Sequence, residues 1–427
     1  MRDLVVLFLV FGSLPFIFKR PYLGIIVWAW LSYMNPHRLA YGFAYNMPFA
    51  QIVALVLIIA LVMTKDRQKI PVNGLVITWV FFLIWMGLTS LFALDSAAAK
   101  IQYVKVLKIQ FLTFLTIILI NSYEKMKMLI WIIVLSLAFF SVKGGIFTIL
   151  SGGAHRVWGP PGSFIEENNS LALATLMMVP LMYYLYATEK HKWIKRGLLM
   201  GIPLSLASAI GSQSRGALLA TISVAGFFWL KSKSKVLTGT LIVILGMVGF
   251  TFMPESWHER MSTIQTYDED ASAMGRIGAW IYSINAANSR ITGAGFDSWS
   301  ESTYAMFSPD AVSISAAHSI YFSVLADHGW IGLLLYLTIL FITWRSLSKV
   351  LNLTNNNVDL TDQNLLARML QVSFIAYFTG GAFLSLSYFD LPWHLIVITL
   401  LLKQFVEKVV REDPTSQPGL ARRGVYT

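Results

Sequence analysis

The sequence predicts an all-α polytopic membrane protein of about twelve transmembrane helices with one large outer loop containing helices of its own. Of its 427 residues, 56% are hydrophobic and only 13% charged, against about 25% charged in ordinary soluble domains. Apolar runs near the ~20 residues that cross a ~30 Å hydrocarbon core recur along almost the whole chain. The 33 lysines and arginines sit in short clusters between those runs rather than on one basic face, so the net charge of +11 reads as an orientation signal and not as a nucleic-acid surface. With no cysteine in the chain, disulfides, thiolate metal sites and cysteine nucleophiles are excluded.

In order, the apolar segments are Asp3 to Phe18, Tyr22 to Met34, Phe49 to Met63, Asn73 to Ala93, Lys105 to Ile120, Met128 to Leu150 and Asn169 to Tyr186. Gly197 to Ile210, Gly216 to Leu230, Val236 to Met253, His318 to Trp344, Ala367 to Leu386 and Leu391 to Phe405 follow. The first resembles a signal peptide behind Met1 and Arg2, but no small-residue cleavage site precedes the second segment, so it reads as retained. Several of the thirteen are too short to span unaided, which brings the expectation to about twelve crossings.

Alternate loops carry the basic residues: Lys19 and Arg20, Lys65 to Lys69, Lys125 and Lys127, Lys190 to Arg196, Lys231 to Lys235 and Arg345 to Arg368, then the stretch from Lys403. Together they hold 22 of the 33, and the positive-inside rule makes them cytoplasmic. The expected organisation is therefore one membrane domain: helices over 1–253, an outward loop over 254–317, helices over 318–410 and a disordered inner tail over 411–427. No internal repeat stands out.

Arg215 lies in Gly211-Ser212-Gln213-Ser214-Arg215-Gly216, a polar break between two apolar segments on the expected outer side. It reads either as a snorkelling side chain at a helix end or as an anion clamp, whose guanidinium fork matches phosphate oxygens beside the donors of a helix start. Gly275-Arg276-Ile277-Gly278 places a second arginine before Trp280 and Tyr282, on a solvated loop or at a site. His318 opens a membrane segment at a wet edge, where imidazole serves either as a structural hydrogen-bonding group or as a base at neutral pH. A zinc site from His258, His318 and His328 lacks compact ligand spacing.

Lys100, Lys105 and Lys108 fall within about 140° of one helical face, suited to lipid headgroups or to gathering an anionic substrate. Lys143 is an ionisable group inside an apolar segment, a functional candidate for that reason. The acidic cluster Asp268-Glu269-Asp270 reads as a solvated loop. Asn35 to Pro48, the first outer loop, contains no Asp or Glu, which disfavours metal-assisted transfer. No nucleophile elbow, P-loop or dinucleotide fingerprint occurs.

Four pieces resemble the O-antigen ligase and polymerase superfamily of bacterial membrane glycosyltransferases, most of all the ligases and their O-glycosylation ligase relatives. They are Gly162-Ser163-Phe164 with Asn168, Asn169 and Leu171; Ser214-Arg215-Gly216; Gly275-Arg276 leading to Thr292-Gly293-Ala294-Gly295-Phe296; and His318-Ser319 followed by Asp327, Gly329 and Gly332. The sequence departs from the family pattern at Asp327, where Glu is common, and at Glu166-Glu167, where a proline is often near. The resemblance implies a GT-C-like membrane fold in the bacterial inner membrane, with its active site facing the periplasm. It also implies transfer of a glycan from a polyprenyl-pyrophosphate carrier to an acceptor, which for a ligase is the lipid A core. On that expectation His318, Arg215 and Arg276 are catalytic. Lys100, Lys105, Lys108, Lys143, Asn169 and Asp327 bind substrate, and neither metal nor other cofactor takes part. A polymerase, a protein O-oligosaccharyltransferase and, in another class, a lipid-linked sugar flippase are the alternatives.

Overall fold

The computed structural model describes residues 1–232, 234–262 and 271–412; the acidic cluster 268–270 and the tail beyond 412 lie outside the described residues. Each of the thirteen apolar segments is a helix. They are α1 (Arg2–Lys19), α2 (Tyr22–Met34), α3 (Phe49–Met63), α4 (Gly74–Leu91), α5 (Ser96–Leu119), α6 (Tyr123–Leu150), α7 (Asn168–Thr188), α8 (Lys192–Gly211), α9 (Arg215–Lys231) and α10 (Lys235–Phe252). Three helices of the connecting region follow, α11 (Glu255–Ser262), α12 (Ala271–Ser289) and α13 (Glu301–Phe307), and then α14 (Ile320–Thr354), α15 (Thr361–Gly380) and α16 (Asp390–Glu412). No strand occurs among the described residues.

Polar residues at the segment edges set the starts. The side chains of Asn73, Asp95, Ser122, Ser214 and Ser319 accept backbone N–H groups of the first turns of α4, α5, α6, α9 and α14, satisfying donors that a helix start leaves open. Asp95 starts α5 well before the apolar run, so the lysine-bearing stretch and the apolar one form a single helix of 24 residues. α14 has 35 residues, about 52 Å at ~1.5 Å each, so it outruns a ~30 Å hydrocarbon core and makes Arg345 helical rather than part of a loop.

Among the described residues six helices, α4, α5, α6, α7, α10 and α14, are long and apolar enough to cross a membrane, and α2, α3 and most of α9 are shorter apolar ones. α7 and α16 form the centre: Leu171 to Leu185 and Leu391 to Leu402 are almost entirely buried. α10 is the opposite case, with no buried residue along its 18. The connecting region has a small core of its own, in which Tyr282 stacks on Tyr304 at 4.9 Å and meets Phe307 edge-on at 5.3 Å.

That region is fastened to α14 at a break. Gly329 has φ 67° and ψ −171° in the middle of the helix, and Gly293 has φ 66°. A Cβ on Gly293 would sit 2.5 Å from the Ala326 carbonyl oxygen, and one on Gly329 would sit 2.4 Å from that of Ile291. Only glycine allows both the left-handed conformation and this backbone approach. The N–H of Ala294 donates to Ala326 O at 2.7 Å, that of Leu94 donates to Ala294 O at 2.9 Å, and Arg290 Nη2 donates to Phe92 O at 2.6 Å. The Thr292 to Phe296 motif is thus a clasp holding the region to both α14 and the α4–α5 turn.

Candidate functional site

Segments from across the sequence converge on the turn between α8 and α9. Gln213 turns the chain with φ 55°, and Ser214 caps α9 by accepting the Ala217 N–H at 3.1 Å. Arg215 therefore stands as the first residue of a helix, half-buried, where the helix dipole adds positive potential to its own charge. The turn is held from three sides. Asn168 Nδ2 donates to Ser212 O at 2.7 Å, Arg260 Nε donates to Gln213 O at 2.9 Å, and Gln213 Nε2 donates to Gly153 O at 3.1 Å. Arg156 Nε reaches Gln213 Oε1 at 3.5 Å.

Arg276 lies on α12 one turn before Trp280, so the two share a helix face. Trp280 Nε1 donates to Ala317 O at 2.9 Å and its ring stacks on Phe322 at 4.9 Å, which brings that face to His318. His318 is half-buried with φ 44°. Burial lowers its pKa below the ordinary imidazole range, the positive charge of Arg276 lowers it further, and Glu167 at the start of α7 pulls it back up. The imidazole is therefore neutral at neutral pH and able to accept a proton. Phe383 bridges the two halves: its Cβ would be 3.1 Å from a Cβ on Gly216, and its ring centroid is 6.4 Å from that of Trp280.

Arg276 and His318 are thus brought together, and Arg215 is linked to them through Phe383. Asn169 is half-buried on α7, and its neighbour Asn168 is the residue that holds the turn. Lys105 lies 4.0 Å from the Phe164 ring centroid and within electrostatic reach of Asp297, so the Gly162-Ser163-Phe164 motif packs against the lysine-bearing half of α5. Lys100 and Lys108 are exposed on the same helix. Lys143 is exposed as well, whereas the adjacent Gly144 and Gly145 face Ser208 and Leu204 of α8. Asp327 is buried beneath the clasp, where Tyr388 donates to its Oδ2 at 2.9 Å and Oδ1 has no hydrogen-bond partner among the described residues.

The zinc alternative falls, because its three histidines are apart. His258 Nε2 pairs with Met253 O at 3.1 Å, and His328 is fully buried with Nδ1 2.7 Å from Thr89 Oγ1. No group of three or more metal-binding side chains occurs among the described residues.

Sequence reasoning did not single out Glu167 as a partner of His318, nor Gln213, Arg156 and Arg260 as a node. It also passed over ionisable groups inside the bundle: Asp390, which accepts from Ser32, and His394, whose Nδ1 is 2.6 Å from Tyr33 Oη. For those two the available signal was a carboxylate and an imidazole four residues apart at the start of an apolar run.

Residues 200–337 match the O-antigen ligase family, and residues 1–191 match a family of unknown function (DUF5935). The first match contains Arg215, Arg276, His318, Asp327 and the clasp. The second contains Lys100, Lys105, Lys108, Lys143 and Asn169. No curated protein matches the chain.

Proposed function

From the match of residues 200–337 to the O-antigen ligase family we propose that the chain is an O-antigen ligase. In this reading it transfers a glycan from undecaprenyl pyrophosphate to the sugar core of lipid A, with residues 254–317 and the site facing the periplasm. The observation that carries the reading is the convergence of three segments: the α12 face bearing Arg276 and Trp280 is bonded to Ala317 next to His318, and Phe383 links Trp280 to the helix start that carries Arg215.

The reaction uses these groups as follows. An acceptor hydroxyl loses its proton to His318 as its oxygen bonds to the anomeric carbon. The bond from that carbon to the pyrophosphate oxygen breaks, and its electron pair leaves on the pyrophosphate. Arg215 and Arg276 stabilise the charge that develops there, which is where fixed donors lower a barrier most. Attack opposite the leaving group inverts the anomeric configuration. Lys100, Lys105, Lys108 and Lys143 attract the anionic carrier, Asn169 contacts the glycan, and Asp327 supports the site from beneath the clasp. No metal has a part in this scheme.

Reconstitution with polyprenyl-pyrophosphate-linked glycan and lipid A core, in chelator, tests the reading by a gel shift of the lipid product. Transfer by the wild type and a product band weaker by about 10²-fold or more with His318→Ala is the expected result. Elongation of the carrier-linked glycan instead would make the protein a polymerase, and a requirement for added metal would overturn the scheme.

A further inference from the structure

α14 carries an exposed apolar stripe, Trp330, Leu334, Leu337 and Phe341, at steps of four, three and four residues. Toward the end farther from His318 the stripe changes chemistry without leaving the face: Arg345, Lys349 and Asn352 follow at steps of four, four and three, all exposed. A cleft of about 540 Å³ opens there, where Lys403 from α16 joins Arg345 and Lys349, with Ser346 and Ser348 on its wall and Phe341 and Ile342 also lining it. Glu407 pairs with Lys349 at 2.7 Å and stands 4.0 Å from Lys403. Three cations against this one carboxylate leave an excess of two positive charges.

We propose that this cleft holds the phosphodiester headgroup of an anionic phospholipid whose acyl chain lies along the Trp330 to Phe341 stripe. Arginine is suited to such a group because its planar fork donates two parallel hydrogen bonds to phosphate oxygens. Lys349 and Lys403 are held near it by Glu407, which orients both without cancelling both. From Phe341 back to Trp330 is about 16 Å at ~1.5 Å per residue, close to half of a ~30 Å hydrocarbon core, so the stripe has the length of one leaflet. A soluble phosphate would satisfy the charges and leave the stripe unused. The site is at the opposite end of α14 from His318 and is independent of the transferase reading.

The test is native mass spectrometry of the full chain released from detergent micelles, titrated with phosphatidylglycerol, phosphatidylcholine or inorganic phosphate. Phosphatidylglycerol should remain bound and phosphatidylcholine should not. Arg345→Gln/Lys403→Gln should weaken the phosphatidylglycerol adduct by roughly tenfold or more, as loss of two juxtamembrane cations implies. Lys192→Gln/Arg196→Gln, which removes two exposed cations from the start of α8, should leave it unchanged. Equal binding by the Arg345/Lys403 variant, or equal loss in the Lys192/Arg196 variant, would overturn the proposal. Binding of inorganic phosphate as tight as that of the lipid would assign the cleft to a soluble anion instead.

Discussion

His318 holds its place in a left-handed backbone conformation, φ 44°, which costs a non-glycine residue on the order of 1–3 kcal/mol. The surrounding bonds impose it: Ala317 O is tied to Trp280, and Ser319 caps the next helix. His318→Ala should lower the transfer rate by about 10²- to 10⁴-fold, the range for a lost general base, while the detergent-solubilised protein stays monodisperse. The two charges acting on the imidazole oppose each other, so they make a sign-specific prediction. Rate should rise with pH as the imidazole loses its proton, with a midpoint below the ordinary histidine value. Arg276→Gln should move that midpoint up and Glu167→Gln should move it down; pH–rate profiles that shift together, or not at all, would separate the midpoint from His318. Arg215→Lys should also impair turnover, because an ammonium lacks the bidentate fork. The residue types of this site were legible from the sequence, since arginine and histidine at apolar segment ends are conspicuous. The links from Glu167 to His318 and from Arg260 to Gln213 were not, because they join separate segments and leave no trace in local spacing.

Among the elements, the clasp carries the clearest stability prediction. Gly293→Ala or Gly329→Ala meets a carbonyl oxygen at 2.5 or 2.4 Å in a conformation that disfavours any Cβ, so each should lower the unfolding midpoint in detergent by several degrees. Gly246→Ala in α10 meets nothing within 4 Å and should leave the midpoint unchanged or slightly higher, since alanine is the better helix former by up to ~1 kcal/mol. All thirteen apolar segments could be read in advance, because hydrophobic runs and the Asn, Asp and Ser caps beside them are local signals. The three helices α11 to α13 were legible only as a long connection with some helix. The clasp was visible as a glycine-rich motif but not as a joint, since glycine reports a need for space without naming what fills it. Asp327 stood out by its distinctive sequence neighbours, but its hydrogen bond from Tyr388, a residue of a distant segment, could not be read from them.

At the scale of the molecule, the absence of native cysteine makes the proposed orientation directly testable. Asp310→Cys and Lys192→Cys introduce single thiols at exposed positions. In spheroplasts a membrane-impermeant maleimide should label Cys at 310 and should reach Cys at 192 only after permeabilisation; the reverse pattern would invert the chain and place the His318 site on the inner side. The apolar character of the whole chain was legible from composition, whereas the division of labour among its helices was not, because α7 and α10 are both apolar and yet sit at opposite extremes of burial. That difference has a consequence for α10. With none of its 18 residues buried, it gains little from protein packing, and its length of about 27 Å, at ~1.5 Å per residue, falls slightly short of a ~30 Å hydrocarbon core. Hydrophobic mismatch costs a fraction of a kcal/mol per ångström, so a change in lipid chain length should alter the tilt of α10 more readily than that of the buried α7.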